Sequence, residues 1–146
     1  MPDERKEIPM PGTIIPGFLY ADAVAAIGFL CEAFGFRRHA VYADDADPAV
    51  IHHAELTLDQ GMIMLGSGRS GERPHGRKTP AEAGGNTVSL YLIVADPDAH
   101  CEKARAAGAE ILTEPRDNEG YPGRGYAARD PEGYVWSFGS YDPWQT

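Results

Sequence analysis

His53 and Glu55 stand two residues apart in an alternating stretch, so a β-strand would carry both on one face. An imidazole and a carboxyl group at that spacing could serve as general base and acid if burial brought a proton affinity near neutrality. They fit a quieter role equally: His53 hydrogen-bonded inside the fold, and Glu55 paired with Arg124 or Arg129. His52, on the opposite face of such a strand, is expected to pack or to sit at an edge. His39, His75 and His100 are scattered without metal-ligand spacing. Cys31 and Cys101 fall on the inward faces of helix-like segments and read as packing groups, since a reactive thiol wants exposure and positive neighbours. The sequence has neither a phosphate-cradling glycine loop after a strand nor a G-x-S-x-G elbow. Gly66–Gly71 is glycine-rich but leads into a polar loop, so it reads as a hinge.

The elements that must position these residues come twice. Thr13–Tyr20 is an apolar run, broken by Pro16-Gly17 as an edge strand or bulge would be. Asp22 then caps a helix, whose apolar face is marked by Val24, Ile27, Cys31 and Phe34 and whose end is Gly35. Short strands follow at Phe36–Tyr42, Ala49–Leu58 and Met62–Leu65, the last two forming a hairpin around Asp59-Gln60-Gly61. The second half repeats the plan. Thr87–Val94 is apolar, Asp96 caps a helix with Pro97 at its first position, and Gly108 closes it. Strands are expected at Glu110–Thr113, Tyr126–Arg129 and Tyr134–Ser140, with Asp130-Pro131-Glu132-Gly133 turning between the last two. A duplicated strand–helix–strand–strand–strand unit implies pseudo-twofold symmetry and a cleft where the copies meet.

Between the halves, Ser67–Asn86 is rich in Gly, Pro and charge. Long loops of this kind are often lids or binding loops, although a solvated linker has the same composition. Arg69, Arg73, Arg77 and Lys78 face only Glu72 and Glu82 there, so the loop is basic within an acidic chain and suited to an anionic ligand or a partner subunit. The whole sequence of 146 residues carries a net charge of −9, which excludes general nucleic-acid binding and disfavours an anionic membrane surface. Its 42% hydrophobic and 24% charged residues are those of one globular unit with a sizeable core. No apolar run is long enough for a membrane span. The charged arm Met1–Gly12 has no apolar signal core, and two cysteines make no disulfide framework, so a cytoplasmic, reducing setting is expected.

The order and spacing of these pieces resemble the glyoxalase/bleomycin-resistance/extradiol-dioxygenase (vicinal-oxygen-chelate) superfamily. The residues that carry the resemblance in the first half are Tyr20-Ala21-Asp22, Phe34-Gly35-Phe36, His53–Leu56 and Gly61–Leu65. In the second half they are Cys101–Lys103, Ala107–Ala109 and the run Asp130–Gly139. The resemblance covers about residues 13–141 and implies an α+β fold. Two βαβββ modules, residues 13–66 and 87–141 on either side of the linker 67–86, would form a curled half-barrel with helices outside and a ligand cleft inside.

Metal-dependent members place one ligand on the first and one on the last strand of each module, which the motif anchors carry onto Ile15, Met64, Ser89 and Ser137. An isoleucine, a thioether and two neutral hydroxyls do not make a divalent-metal site. The resemblance, with strand alternation, then implies a largely apolar cleft lined by Ile15, Gly17, Leu19, Met62, Met64, Ser89, Tyr91, Ile93, Val135 and Ser137, with His53, Glu55 and Thr57 turned toward it. Tyr91, Tyr126 and Trp136 could stack on a flat ligand or belong to the core, and Trp136 is expected in the core. The expectation is a protein that binds a small organic molecule, an antibiotic or metabolite, in this cleft without metal or other cofactor. The alternative is a metal-independent lyase or isomerase using His53 and Glu55. The partner expected is a second copy, with Trp144 as interface residue unless it folds back on its own module.

Overall fold

A computed structural model describes residues 12–68 and 73–145; the arm 1–11 and residues 69–72 of the linker, with Arg69, lie outside the described residues. The first module runs β1 (Gly17–Tyr20), α1 (Ala23–Phe34), β2 (Arg37–Ala43), β3 (Ile51–Leu58) and β4 (Gly61–Ser67). The linker holds a 3₁₀ turn (Pro74–Gly76) and a short α2 (Pro80–Ala83). The second module runs β5 (Tyr91–Ile93), α3 (Pro97–Ala106), β6 (Glu110–Asp117), β7 (Arg124–Arg129) and β8 (Val135–Gly139). Each module makes a four-stranded mixed sheet, ordered β1-β4-β3-β2 and β5-β8-β7-β6. The first strand of each lies parallel to its last. The duplicated α+β plan read from the sequence is therefore the fold.

Both long helices start where expected. The Asp22 carboxyl accepts from the Ala25 amide at 3.1 Å, and Asp96 does the same for Ala99 at 3.1 Å, each satisfying a donor that the first helical turn leaves free. Gly35 ends α1 with φ of 86°, a left-handed conformation that glycine adopts without a Cβ penalty.

One face of each sheet and both helices bury a single core that includes Phe18, Tyr20, Leu30, Phe34, Trp136 and Phe138. Phe18 stacks on Trp136 with centroids 5.0 Å apart, joining the modules directly. The buried stripe of α1 is Ala23, Ala26, Ile27, Leu30, Ala33 and Phe34, whereas Val24 is 48% exposed. The stripe keeps Ile27 and Phe34 of the expected one but is otherwise rotated, with Ala23, Ala26, Leu30 and Ala33 buried in place of Val24.

Strand bounds also differ, most at β1, β5 and β6. β1 begins only at Gly17; Pro16 has no amide to donate, but its carbonyl accepts from Met64 N at 2.9 Å and starts the pairing. Ile15 therefore precedes the strand. Ser89 likewise precedes β5, although Leu90 O already accepts from Ser137 N at 3.1 Å. β6 runs on to Asp117, through register shifts that accommodate Pro115.

The turn Asp130–Gly133 does more than join two strands. Asp130, 4% exposed, accepts from Tyr20 Oη at 2.6 Å and Trp136 Nε1 at 3.2 Å. Glu132 takes the amides of Ala21 (2.6 Å) and Asp22 (2.9 Å) in its carboxyl group, at the entrance to α1. Tyr134 Oη accepts from Leu19 N at 3.2 Å and donates to Leu19 O at 2.9 Å. One turn of the second module thereby fastens the first strand and helix of the other.

Candidate functional site

Strand register decides which side chains share the open face, the one away from the helices. In the first sheet Gly17 pairs with Met64, Met64 with Glu55, and Thr57 with Met62. These residues form rungs on one side, while Phe18, Leu65, Ala54 and Leu56 form the buried side. In the second sheet Tyr91 pairs with Ser137 and Ser137 with Ala127 on the open face. The alternation expected at Gly17, Met62, Met64, His53, Glu55, Tyr91 and Ser137 is observed.

Tyr126 is the exception. It pairs with Phe138, is 3% exposed, and stacks on that ring at 5.2 Å, with His100 packed against both rings. The Tyr126 hydroxyl meets His100 Nδ1, and His100 Nε2 lies 2.8 Å from Phe34 O. Tyr126 is therefore a core residue linking β7 to α3 and does not line the open face. Burial raises its pKa and lowers that of His100, because each charged form would lose its hydration.

His53 Nε2 lies 2.9 Å from Glu55 Oε2, so the two titratable residues expected together do meet, at the outer part of the open face with 39% and 23% of their side chains exposed. The arginines weighed as partners of Glu55 are engaged elsewhere: Arg124 with Asp98 and Asp117, Arg129 with Glu110. The second group near Glu55 is His39, 3.9 Å away. His52 turns to the edge and meets Asp44 at 3.0 Å, and burial raises the pKa of the Cys101 thiol, as its packing role requires.

A recess of about 510 Å³ opens on the first sheet's open face. Gly17, Leu19, Met64 and Gly66 line it from β1 and β4, with His52 and His53 from β3 and Arg73 and Arg77 from the linker. The lining is more polar than the apolar cleft expected. What the sequence could not indicate is how the linker is tied down. Thr79 and Glu82 form a reciprocal cap on α2. Arg73 donates to Gly68 O from Nε (3.0 Å) and Nη2 (2.9 Å) and to Glu82 from Nη1 (2.6 Å). Arg73 lowers the Glu82 carboxyl to about 2, chiefly through that hydrogen bond. Gly68 leaves room for this contact: a Cβ there would stand 2.7 Å from Arg73 Nη2. Ser67, expected within a hinge, is 1% exposed and takes the Ile51 amide at 2.9 Å. The linker is thus a fastened strap beside the recess as far as it is described.

Among the described residues, no three His, Cys, Asp or Glu side chains converge as a metal site. The residues at the superfamily's ligand positions, Ile15, Met64, Ser89 and Ser137, do not fit a divalent metal, having neither imidazole nor carboxyl donors. No helix among the described residues is long and apolar enough to cross a membrane.

The paired βαβββ modules define a class, and residues 17–138 match it: the chain belongs to the Glyoxalase/Bleomycin resistance protein/Dioxygenase superfamily. It is 31% identical over 125 residues to an uncharacterized protein of Mycobacterium bovis, covering 85% of this chain and 80% of that one. The crystal structure of TioX from Micromonospora sp. ML1 is similar, with a TM-score of 0.65 and 28% identity over 88% of this chain and 94% of that one. The fosfomycin resistance protein FosX of Listeria monocytogenes shares the fold alone, with a TM-score of 0.63 and 13% identity over 94% and 97% of the two chains.

Proposed function

We propose that this protein binds a small organic molecule on the open face of its first module, without a metal, and that a second copy covers that face. The recess of about 510 Å³ beside Met64, Leu19 and His53 carries this reading. It combines a flexible thioether wall and small floor residues with an unusually large share of polar groups, His52, His53, Ser67, Arg73 and Arg77, that can fix a ligand's orientation. An assembly of two copies is supported by the open sheet edge at β2, where Val41 and Tyr42 are 40% and 59% exposed. Trp144, 88% exposed, is a second place for a partner to pack.

A thermal-shift screen of natural products and metabolites tests the reading, because a ligand that binds only the folded state raises its stability. Stabilising compounds are expected to lose their effect when Met64→Trp fills the recess. Full retention of that effect in folded Met64→Trp would count against the site.

The contact between His53 and Glu55 favours a second reading, a metal-independent lyase or isomerase in which this pair moves a proton. On a compound that is turned over, His53→Gln would lower kcat about a hundredfold or more. Unchanged turnover in His53→Gln would remove the enzymatic reading and leave binding.

A further inference from the structure

The recess on the first module contains no Asp or Glu among its lining residues, yet it gathers Arg73, Arg77, His52 and His53. That is unusual in a chain where 22 acidic residues outnumber 13 Lys and Arg. Three of the four basic groups already have partners. Arg73 is held by Glu82 and the Gly68 carbonyl, His52 lies against Asp44, and His53 lies against Glu55.

Arg77 differs. It is exposed, and it has no ion-pair partner among the described residues. Its Nη2 stands over β1, 3.7 Å from where a Cβ on Gly17 would lie. The guanidinium fork therefore borders the recess with no hydrogen-bond or ion-pair partner among the described residues, above a glycine that adds no side chain beneath it.

Resting on the small-molecule reading above, we infer that the ligand carries a carboxylate and that Arg77 receives it in the recess. A guanidinium presents two parallel N–H donors that match a carboxylate, and charge-assisted pairs of this kind are about twice as strong as neutral ones. One uncommitted guanidinium suits a singly charged group better than a phosphate dianion, which would find only one free fork. The rest of the ligand then runs over Met64 toward His53, where the floor is small and apolar.

The test uses the full-length protein and matched probes: benzoate against benzamide, and 4-phenylbutyrate against 4-phenylbutyramide. Binding is read from the methyl signals of Met62 and Met64 in protein labelled at the methionine methyls. The acids are expected to bind about tenfold tighter than the amides or better, and the preference should weaken as salt is raised. Arg77→Gln should abolish the preference while leaving amide affinity unchanged. Arg129→Gln, which breaks an ion pair with Glu110 outside the recess, should leave the preference intact. Arg77 is exposed, so an unchanged unfolding midpoint serves as the folding control.

Equal affinity for acids and amides, or a preference that survives Arg77→Gln, would overturn the inference while the small-molecule site stands. If neither probe class moves Met62 or Met64, and the compounds that stabilise the protein act elsewhere, the inference and the reading beneath it both fall.

Discussion

Asp130 is the residue whose loss should cost most for its size. Its buried carboxyl group accepts from Tyr20 Oη at 2.6 Å and Trp136 Nε1 at 3.2 Å, and from the amides of Glu132 and Tyr134 at 3.0 and 3.1 Å. Tyr20 and Trp136 are 1% and 0% exposed, so no water can replace the lost acceptor. Burial, reinforced by the Asp130 carboxyl, holds the Tyr20 hydroxyl in its neutral, donating form by raising its pKa well above the ordinary value. In Asp130→Ala three buried donors, Tyr20 Oη, Trp136 Nε1 and Tyr134 N, lose their acceptor at about 1–3 kcal/mol each, for a total of about 3 kcal/mol or more. Tyr20→Phe alone should cost about 1–2 kcal/mol, but next to nothing in the Asp130→Ala background, where the orphan is already present. The coupling between the two sites is then about 1–2 kcal/mol. Urea unfolding followed by far-UV circular dichroism, at one fixed protein concentration, measures all four corners of the cycle. A loss below about 1 kcal/mol in Asp130→Ala, or strict additivity with Tyr20→Phe, would refute the assignment of this turn as the clasp between modules.

Three further outcomes follow from the same structure. His100 is half-buried with a lowered pKa, so the unfolded chain binds protons that the folded one does not; stability should fall as pH drops below about 6.5, and urea midpoints at pH 7.5 and 5.5 should lose much of that difference in His100→Gln. Replacing Glu132 with Ala frees the Ala21 and Asp22 amides at the start of α1, which should cost about 1–2 kcal/mol and speed hydrogen exchange in its first turn. Light scattering at micromolar concentration should give twice the 15.8 kDa chain mass, and a single-chain mass would remove the dimer from the proposal.

Much of this architecture was legible because its signals are local. Asp22, Gly35, Asp96 and Pro97 act within one helical turn of themselves, and they mark helix ends in the structure as they do in the sequence. The open face of β4 followed from alternation once the resemblance set Met64 toward the cleft. The sequence leaves Tyr126 between ligand stacking and core, because Gly125-Tyr126-Ala127-Ala128 has no polar alternation to set its face; its pairing with Phe138 puts it in the core. The α1 stripe is legible only at Ile27 and Phe34, because its three alanines give a weak periodic signal against the larger Val24 and Cys31. Other features had no local signal at all. Asp130 and Tyr20 are 110 residues apart, and nothing near Arg73 foretells that it grips Gly68 while Arg77 remains over the recess. Such contacts depend on how the two modules and the strap come together.

The central claim is metal-independent binding at the first module's open face, and the methionines give the most direct measurement. Met62 and Met64 lie on that face, while Met1 and Met10, the other two methionines, belong to the arm outside the described residues. Methyl-labelled protein, stripped of metal with EDTA, is titrated with whichever compound raises its melting temperature most. The expected result is saturable movement of the Met62 and Met64 signals with an affinity that EDTA does not change. Movement confined to other signals, or binding that appears only when a divalent metal is restored, would contradict it.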